Sequence, residues 1–174
     1  DISKEKINKI NKRISPIKDN EIEYYLKNKQ LDLLATLNKQ KALSDKDYII
    51  IATPTNYDID TGSFDTSSVE SVIADIISIN KHSNIVIKST IPLGFTDRMR
   101  NKFNKKEIFF SPEFLRETMA LKDNLYPSRV VVGDYTREAE IFAKMLIQCS
   151  KKTLKETTVL KMESIRDKVI LDYG

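Results

Sequence analysis

The feature that most constrains this chain is a set of short apolar runs without the polar alternation of a half-exposed strand. Residues 48–53 read Tyr-Ile-Ile-Ile-Ala-Thr, residues 84–89 Asn-Ile-Val-Ile-Lys-Ser, residues 107–111 Glu-Ile-Phe-Phe-Ser and residues 129–133 Arg-Val-Val-Val-Gly. Continuous runs of this length suit strands covered on both faces, as in a parallel sheet. Between them lie segments of helical period. Val69, Val72, Ile73, Ile76, Ile77 and Ile79 mark one helix, with Asp65, Thr66 or Ser67 as its cap, and residues 136–150 put Ile141, Phe142, Met145 and Leu146 on one face. Buried strands alternating with amphipathic helices predict an α/β chain with a doubly wound, mostly parallel sheet.

The rest of the chain fills in around that pattern. Residues 3–12 space Ile7 and Ile10 as a helix does, with Ser3 as N-cap, and Ser15-Pro16 breaks it. Residues 21–27 (EIEYYLK) predict a short helix, 31–37 (LDLLATL) a strand, and 38–43 another short helix with Asp45 in the turn that follows. Residues 55–64, polar and containing Gly62, predict a loop. Pro92 suits the first turn of the next helix, where its missing N–H costs nothing. Residues 157–162 predict one more strand. The domain reading is therefore residues 1–150 as an α/β unit and 151–174 as a divergent tail.

Composition removes several classes. With 174 residues the chain is about one domain. Its 29 Lys and Arg exceed 25 Asp and Glu by four, spread along the sequence, so a nucleic-acid-binding module is the least favoured class. No run approaches the ~20 apolar residues of a membrane span, and no secretory leader is visible, which points to a cytoplasmic protein with no membrane partner. One cysteine and one histidine leave no disulfide framework, cysteine zinc site or multi-histidine metal site. His82 reads as a surface residue, Cys149 as a packed helix residue, Tyr24-Tyr25 as a packing pair and Lys151-Lys152 as a solvated turn.

In an open α/β sheet, ligands bind beyond the carboxyl ends of the strands. Three of those ends carry hydroxyls beside proline: Thr53-Pro54-Thr55-Asn56, Ser89-Thr90-Ile91-Pro92, and Ser111-Pro112 followed by Glu113-Phe114-Leu115-Arg116-Glu117. Small hydroxyl residues let a flat cofactor approach and can donate to phosphate or ribose oxygens. Prolines stiffen the loops. Glu113 and Glu117, four apart, share a face if helical and could orient water or hold a proton. Each corner alone also reads as turn punctuation, and the two glutamates with Arg116 as a solvated face. The three corners gain weight together, because the topology sets them on one sheet edge.

Those segments, in their order and separations, resemble the NAD-binding domain of the UDP-glucose/GDP-mannose dehydrogenase family. The residues that carry the resemblance are 50–55 (IIATPT), 88–94 (KSTIPLG) and 111–117 (SPEFLRE), extended by 123–129 (DNLYPSR). The resemblance covers roughly residues 1–150 as a partial NAD-binding domain, and the 111–117 segment favours UDP-glucose as substrate over the N-acetyl sugars; a related UDP-N-acetyl-sugar or GDP-mannose dehydrogenase is the alternative within the family. The resemblance implies an incomplete Rossmann-like fold and oxidation of UDP-glucose at C6 to UDP-glucuronate with two NAD, as for polysaccharide biosynthesis. It also implies full-length relatives that are homo-oligomers. By position, Asp1 resembles the acid that binds the adenosine ribose, and Lys6 lies near the cofactor phosphates. Thr55 and Thr90 line the dinucleotide cleft, and Thr90 also places the catalytic water. Glu113, Phe114, Leu115, Arg116 and Glu117 form the substrate loop, in which Glu113 is the acid/base helper and Glu117 touches the cofactor as well.

The departures from the family are equally specific. No G-x-G-x-x-G occurs in these 174 residues, and Cys149 matches no catalytic-cysteine motif. The expectation is a fragment, inactive by itself, whose first two strands lie before Asp1. Such a chain would leave the 31–37 strand without a neighbour and the 48–53 strand with an open edge, and so be weakly stable or associated. A non-catalytic remnant that binds a nucleotide sugar or a partner protein is the alternative.

Overall fold

The computed structural model describes residues 1–59, 62–116 and 118–152, together with the backbone of 158–161. In chain order the elements are α1 (Lys4–Asn11), α2 (Asn20–Asn28), α3 (Lys39–Leu43), β1 (Tyr48–Ile51), β2 (Tyr57–Asp58), β3 (Ser63–Phe64) and α4 (Ser67–Ile79). There follow β4 (Asn84–Ile87), α5 (Phe95–Phe103), β5 (Ile108–Phe110), α6 (Ala120–Leu125), β6 (Arg129–Val132), α7 (Arg137–Gln148) and β7 (Thr158–Lys161).

Three strands make the centre, in the order β1-β4-β5, all parallel, with Ile51 beside Ile87 and Ile87 beside Phe110. Successive side chains of a strand point to opposite faces, and here both faces are covered. Ile85, Ile87, Ile108 and Phe110 pack with Val69, Ile73 and Ile76 of α4 and with Phe95 and Met99 of α5. Val86 and Phe109 point the other way, into a second cluster with Val130, Val132, Ala139, Phe142, Ala143 and Ile147. Two-sided burial is the reason the strand sequences carry no polar alternation.

β6 lies along β5 and pairs in parallel with β7. The Gly133 N–H donates to the Phe110 carbonyl at 2.8 Å, and Ser111 Oγ to the Val131 carbonyl at 2.9 Å. Pairing 110 with 133 and 111 with 131 has β6 running back against β5. The 112–128 connection therefore begins and ends at the carboxyl edge of the central sheet, and α6 sits there with it.

Local capping follows the sequence. Ser3 Oγ accepts from the Lys6 N–H, Asp19 Oδ1 from Glu21 and Ile22, and Thr136 Oγ1 from Ala139. At α4 the cap position is Thr66, whose side chain makes no cap bond, while Asp65 Oδ1 accepts from the Ser67 N–H. No helix among the described residues is long and apolar enough to cross a membrane.

Several expectations are corrected. Residues 31–37 form no strand: they run without secondary structure, and Leu33, Leu34 and Leu37 are exposed. No described strand lies alongside, and side chains satisfy the backbone instead. Asn11 both donates to the Ala35 carbonyl and accepts the Ala35 N–H, and Arg13 donates to the Leu31 carbonyl. The expected loop at 55–64 contains the β2–β3 hairpin, where Tyr57 meets Phe64 edge to face with ring centroids 5.1 Å apart. Pro92 is not in the first turn of α5. Its carbonyl accepts from the Phe95 N–H in a turn that ends at Gly94, the cap, whose φ of 77° suits glycine. α6 is short and carries no long apolar stripe, and the sequence pattern did not reveal it. Cys149 is exposed at the end of α7 rather than packed. His82 is exposed in a turn, and Tyr24 and Tyr25 touch edge to face at 6.1 Å. Among the described residues β1 takes β4 as its one ladder partner, and Ile50 is half exposed.

Candidate active site

The three hydroxyl–proline corners meet along one rim. Thr53 Oγ1 stands 3.1 Å from Ser68 Oγ and 3.5 Å from Ser89 Oγ. Ser89 Oγ donates to the Thr53 carbonyl at 2.7 Å, and Ser111 Oγ crosses from β5 to Val131. Parallel register brings β1, β4 and β5 to the same end, so the three corners share one edge although they lie 36 and 22 residues apart; Thr53 and Ser89 meet on the α4 face, and Ser111 turns to the opposite face, toward β6. The roles differ from the expectation in one respect. Ser89 and Ser111 are buried, and their hydroxyls donate to backbone carbonyls. They join the strand ends to one another, and their protons are spent on the frame rather than offered to a phosphate or ribose.

Beyond that rim lies a cavity of about 370 Å³. Its floor is Lys88 and Ser111, one wall is 112–116, and the other is formed by Asp123 of α6 with the 126–131 segment and Leu146. Lys88 is the last residue of the β4 run and is half-buried, with Nζ 3.5 Å from the Ser111 carbonyl. Burial pushes the Lys88 ammonium below the ordinary lysine range, and the Glu113 carboxylate acts in the opposite sense. The floor cation and the wall carboxylate therefore feel each other. Phe114 lies under the Arg129 guanidinium, 5.3 Å from ring centroid to Cζ.

Arg116 is held inside the wall. Its Nε and Nη2 donate to Asp123 Oδ2 and Oδ1 at 3.1 and 2.6 Å, and its backbone N–H donates to Oδ2 at 3.0 Å. The guanidinium and the backbone N–H hold the Asp123 carboxyl down at about 2. The guanidinium is thus neutralised by an internal partner.

The residues expected to act together divide into three groups. Glu113, Phe114, Leu115 and Arg116 share the cavity wall. Thr55 and Thr90 stand on the same sheet edge, just after β1 and β4, Thr55 half-buried and Thr90 exposed, and neither lines this cavity. Asp1 and Lys6 belong to the start of α1, are exposed, and line no part of it; Asp1 Oδ1 accepts the Ser3 N–H at 2.8 Å. Glu117 lies outside the described residues. Lys88, Asp123 and Arg129 were missed as site residues. A lysine ending an otherwise apolar strand was the signal available for Lys88, whereas the Asp123–Arg116 pairing depends on how α6 folds back.

Comparison with known proteins bears on the family and the fold. Residues 1–151 match the family profile described as the UDP-glucose/GDP-mannose dehydrogenase family, NAD binding domain. The UDP-glucose 6-dehydrogenase of Streptococcus pneumoniae is 48% identical over 169 residues, 97% of this chain and 41% of that protein. The enzyme of the same name from Campylobacter jejuni is 43% identical over 164 residues, 94% of this chain and 41% of that protein. The chain thus spans about two-fifths of the length of the curated relatives it matches. A Pseudomonas aeruginosa GDP-mannose dehydrogenase structure has a similar fold, with a TM-score of 0.78 at 24% identity over 93% of this chain and 39% of that one. A Pyrobaculum islandicum UDP-glucose dehydrogenase gives 0.77 at 24% identity, over 92% and 39%.

Proposed function

The chain belongs to the UDP-glucose/GDP-mannose dehydrogenase family and carries its NAD-binding domain, and from that premise we propose that it serves the NAD-dependent oxidation of UDP-glucose at C6 to UDP-glucuronate. The observation that carries this reading is the cavity at the carboxyl edge of β4 and β5, where Lys88, Glu113 and Arg129 surround an aromatic and backbone-lined space. It suits a ligand that is part sugar and part diphosphate. The sequence relatives named above supply the choice of UDP-glucose.

The residues present fit part of the dinucleotide. Thr55 and Thr90 supply hydroxyls on the sheet edge beside the cavity, and Ser89 and Thr53, bonded to each other, keep that edge rigid. Asp1 and Lys6 are the groups for the adenosine ribose and the phosphates. A glycine-rich phosphate turn does not occur in these 174 residues. When bound, NAD accepts the hydride. Glu113 takes the proton of the C6 hydroxyl through a water that Thr90 helps to place. The wall 113–116 holds the sugar nucleotide. The one cysteine, Cys149, sits exposed at a helix end among none of these groups, so the chain by itself binds without turning over. The cytoplasm is the proposed location, and polysaccharide precursors the proposed use of the product.

Titration calorimetry of the 174-residue chain tests the reading. UDP-glucose should bind, more tightly than GDP-mannose, and Glu113→Gln together with Lys88→Met should weaken it at least about tenfold, the loss expected when charged partners of a ligand are removed. An absence of heat with UDP-glucose at millimolar concentration overturns the proposal. NADH formed by the unaltered chain would overturn the assignment of the thiol chemistry to residues other than these.

A further inference from the structure

We infer that Asp123 is a positioning residue that presets the sugar-nucleotide wall before any ligand arrives; this rests on the proposed reading of the cavity. The wall is an irregular segment, 112–116, with no helix or strand to hold its shape. Irregular backbone of this kind opens locally unless something fastens it. Asp123 fastens it from the first turn of α6. One carboxylate takes three donations from a single residue, two from the Arg116 guanidinium and one from its main-chain N–H. The paired donors fix direction as well as distance. The main-chain bond matters most for the wall, because it holds the backbone of Arg116 and not only its side chain. α6 is itself tied to the wall, since the Met119 N–H donates to the Arg116 carbonyl and the Asp123 N–H to the Met119 carbonyl. Wall and helix thus form one closed unit, hinged on Asp123.

Two consequences follow. Arg116 contributes to ligand binding through the shape of the wall, while Lys88 and Arg129 are the cations of the cavity lining that lie outside this pair. Affinity then depends on Asp123 through the wall it holds, because ordering a loose segment at the moment of binding lowers affinity.

Hydrogen exchange and calorimetry on the 174-residue chain decide the point, with Asp123→Ala, Asp123→Asn and Arg116→Lys compared. Asp123→Ala should speed amide exchange at 114–116 by about fivefold or more, with β4 and β5 amides unchanged, as local opening requires. Asp123→Asn keeps an acceptor for the Arg116 N–H and should fall between. UDP-glucose affinity should follow the exchange rates in the same order, with Arg116→Lys milder than Asp123→Ala. Exchange at 114–116 that is equal in Asp123→Ala and the unaltered chain overturns the inference. So does faster exchange with unchanged UDP-glucose affinity. If the unaltered chain binds no UDP-glucose, the reading of the cavity falls, and the exchange comparison alone still decides whether Asp123 holds the wall.

Discussion

Two segments of this protein have nearly the same apolar character and opposite fates. Residues 31–37 (LDLLATL) and β4 both carry the composition of a strand. β4 lies between β1 and β5, and its Ile85, Val86 and Ile87 are fully buried. The 31–37 segment has exposed leucines and takes its hydrogen bonds from Asn11 and Arg13. An apolar run becomes a strand when neighbours take both its ladder bonds and its faces. Composition describes what a segment can do, and the partners decide whether it does.

The contrast can be broken by mutation, most strongly at the buried segment. Ile87→Ala leaves a cavity beneath α4 and α5 and should destabilise the chain by about 2–5 kcal/mol, read from denaturant melts. Ser111→Ala strands the Val131 carbonyl between β5 and β6 and should cost about 1–3 kcal/mol; a loss under a few tenths would show that the two strands are held by their apolar faces alone.

Lys88→Met should raise stability at neutral pH. The folded state lowers the Lys88 pKa, so the charged form is penalised there, fully so below the folded-state pKa. That penalty fades as pH rises through the folded pKa toward the ordinary value of 10.5. The gain over the unaltered chain should therefore shrink across that alkaline window, and a gain independent of pH would assign it to packing. Asn11→Ala acts on the unpaired segment. It should cost roughly 1 kcal/mol or less but make 31–37 the first site of limited proteolysis. Leu34→Ser should change stability by no more than about 0.5 kcal/mol, and a larger loss would mean that this leucine is covered in solution.

The pH dependence of the cavity wall has its own sign. Arg116 depresses the Asp123 pKa to about 2, so its support is present at neutral pH and is lost as acidity brings the pH down toward that value. Exchange at 114–116 should thus stay slow through pH 4 and rise below it, while in Asp123→Asn it should show no such step.

The legible parts of the sequence were those where one residue type has one physical use. Helices were visible from period and caps: Ser3 and Thr136 accept the N–H groups expected of them. The central strands were visible because burial on two faces leaves an unbroken apolar run. Thr53, Ser89 and Ser111 were visible as a rim, since parallel strands end together. Their use was not visible. A serine at a strand end can donate to a phosphate or to a neighbouring carbonyl, and only the distance to Thr53 and Val131 separates these. α6 was hidden by its shortness, and Asp123 with it.

What the sequence determined by itself is local or periodic: the α/β alternation, the edge at which the hydroxyls gather, and the family to which the motifs belong. What only the tertiary structure decided is pairwise and distant. It left 31–37 unpaired, turned β6 back along β5, gave the serine protons to the frame, and set Lys88 against Glu113 and Arg116 against Asp123. Such pairings depend on positions in space that a linear pattern does not encode, because a hydrogen bond or a charge pair is made by distance and direction and not by residue type.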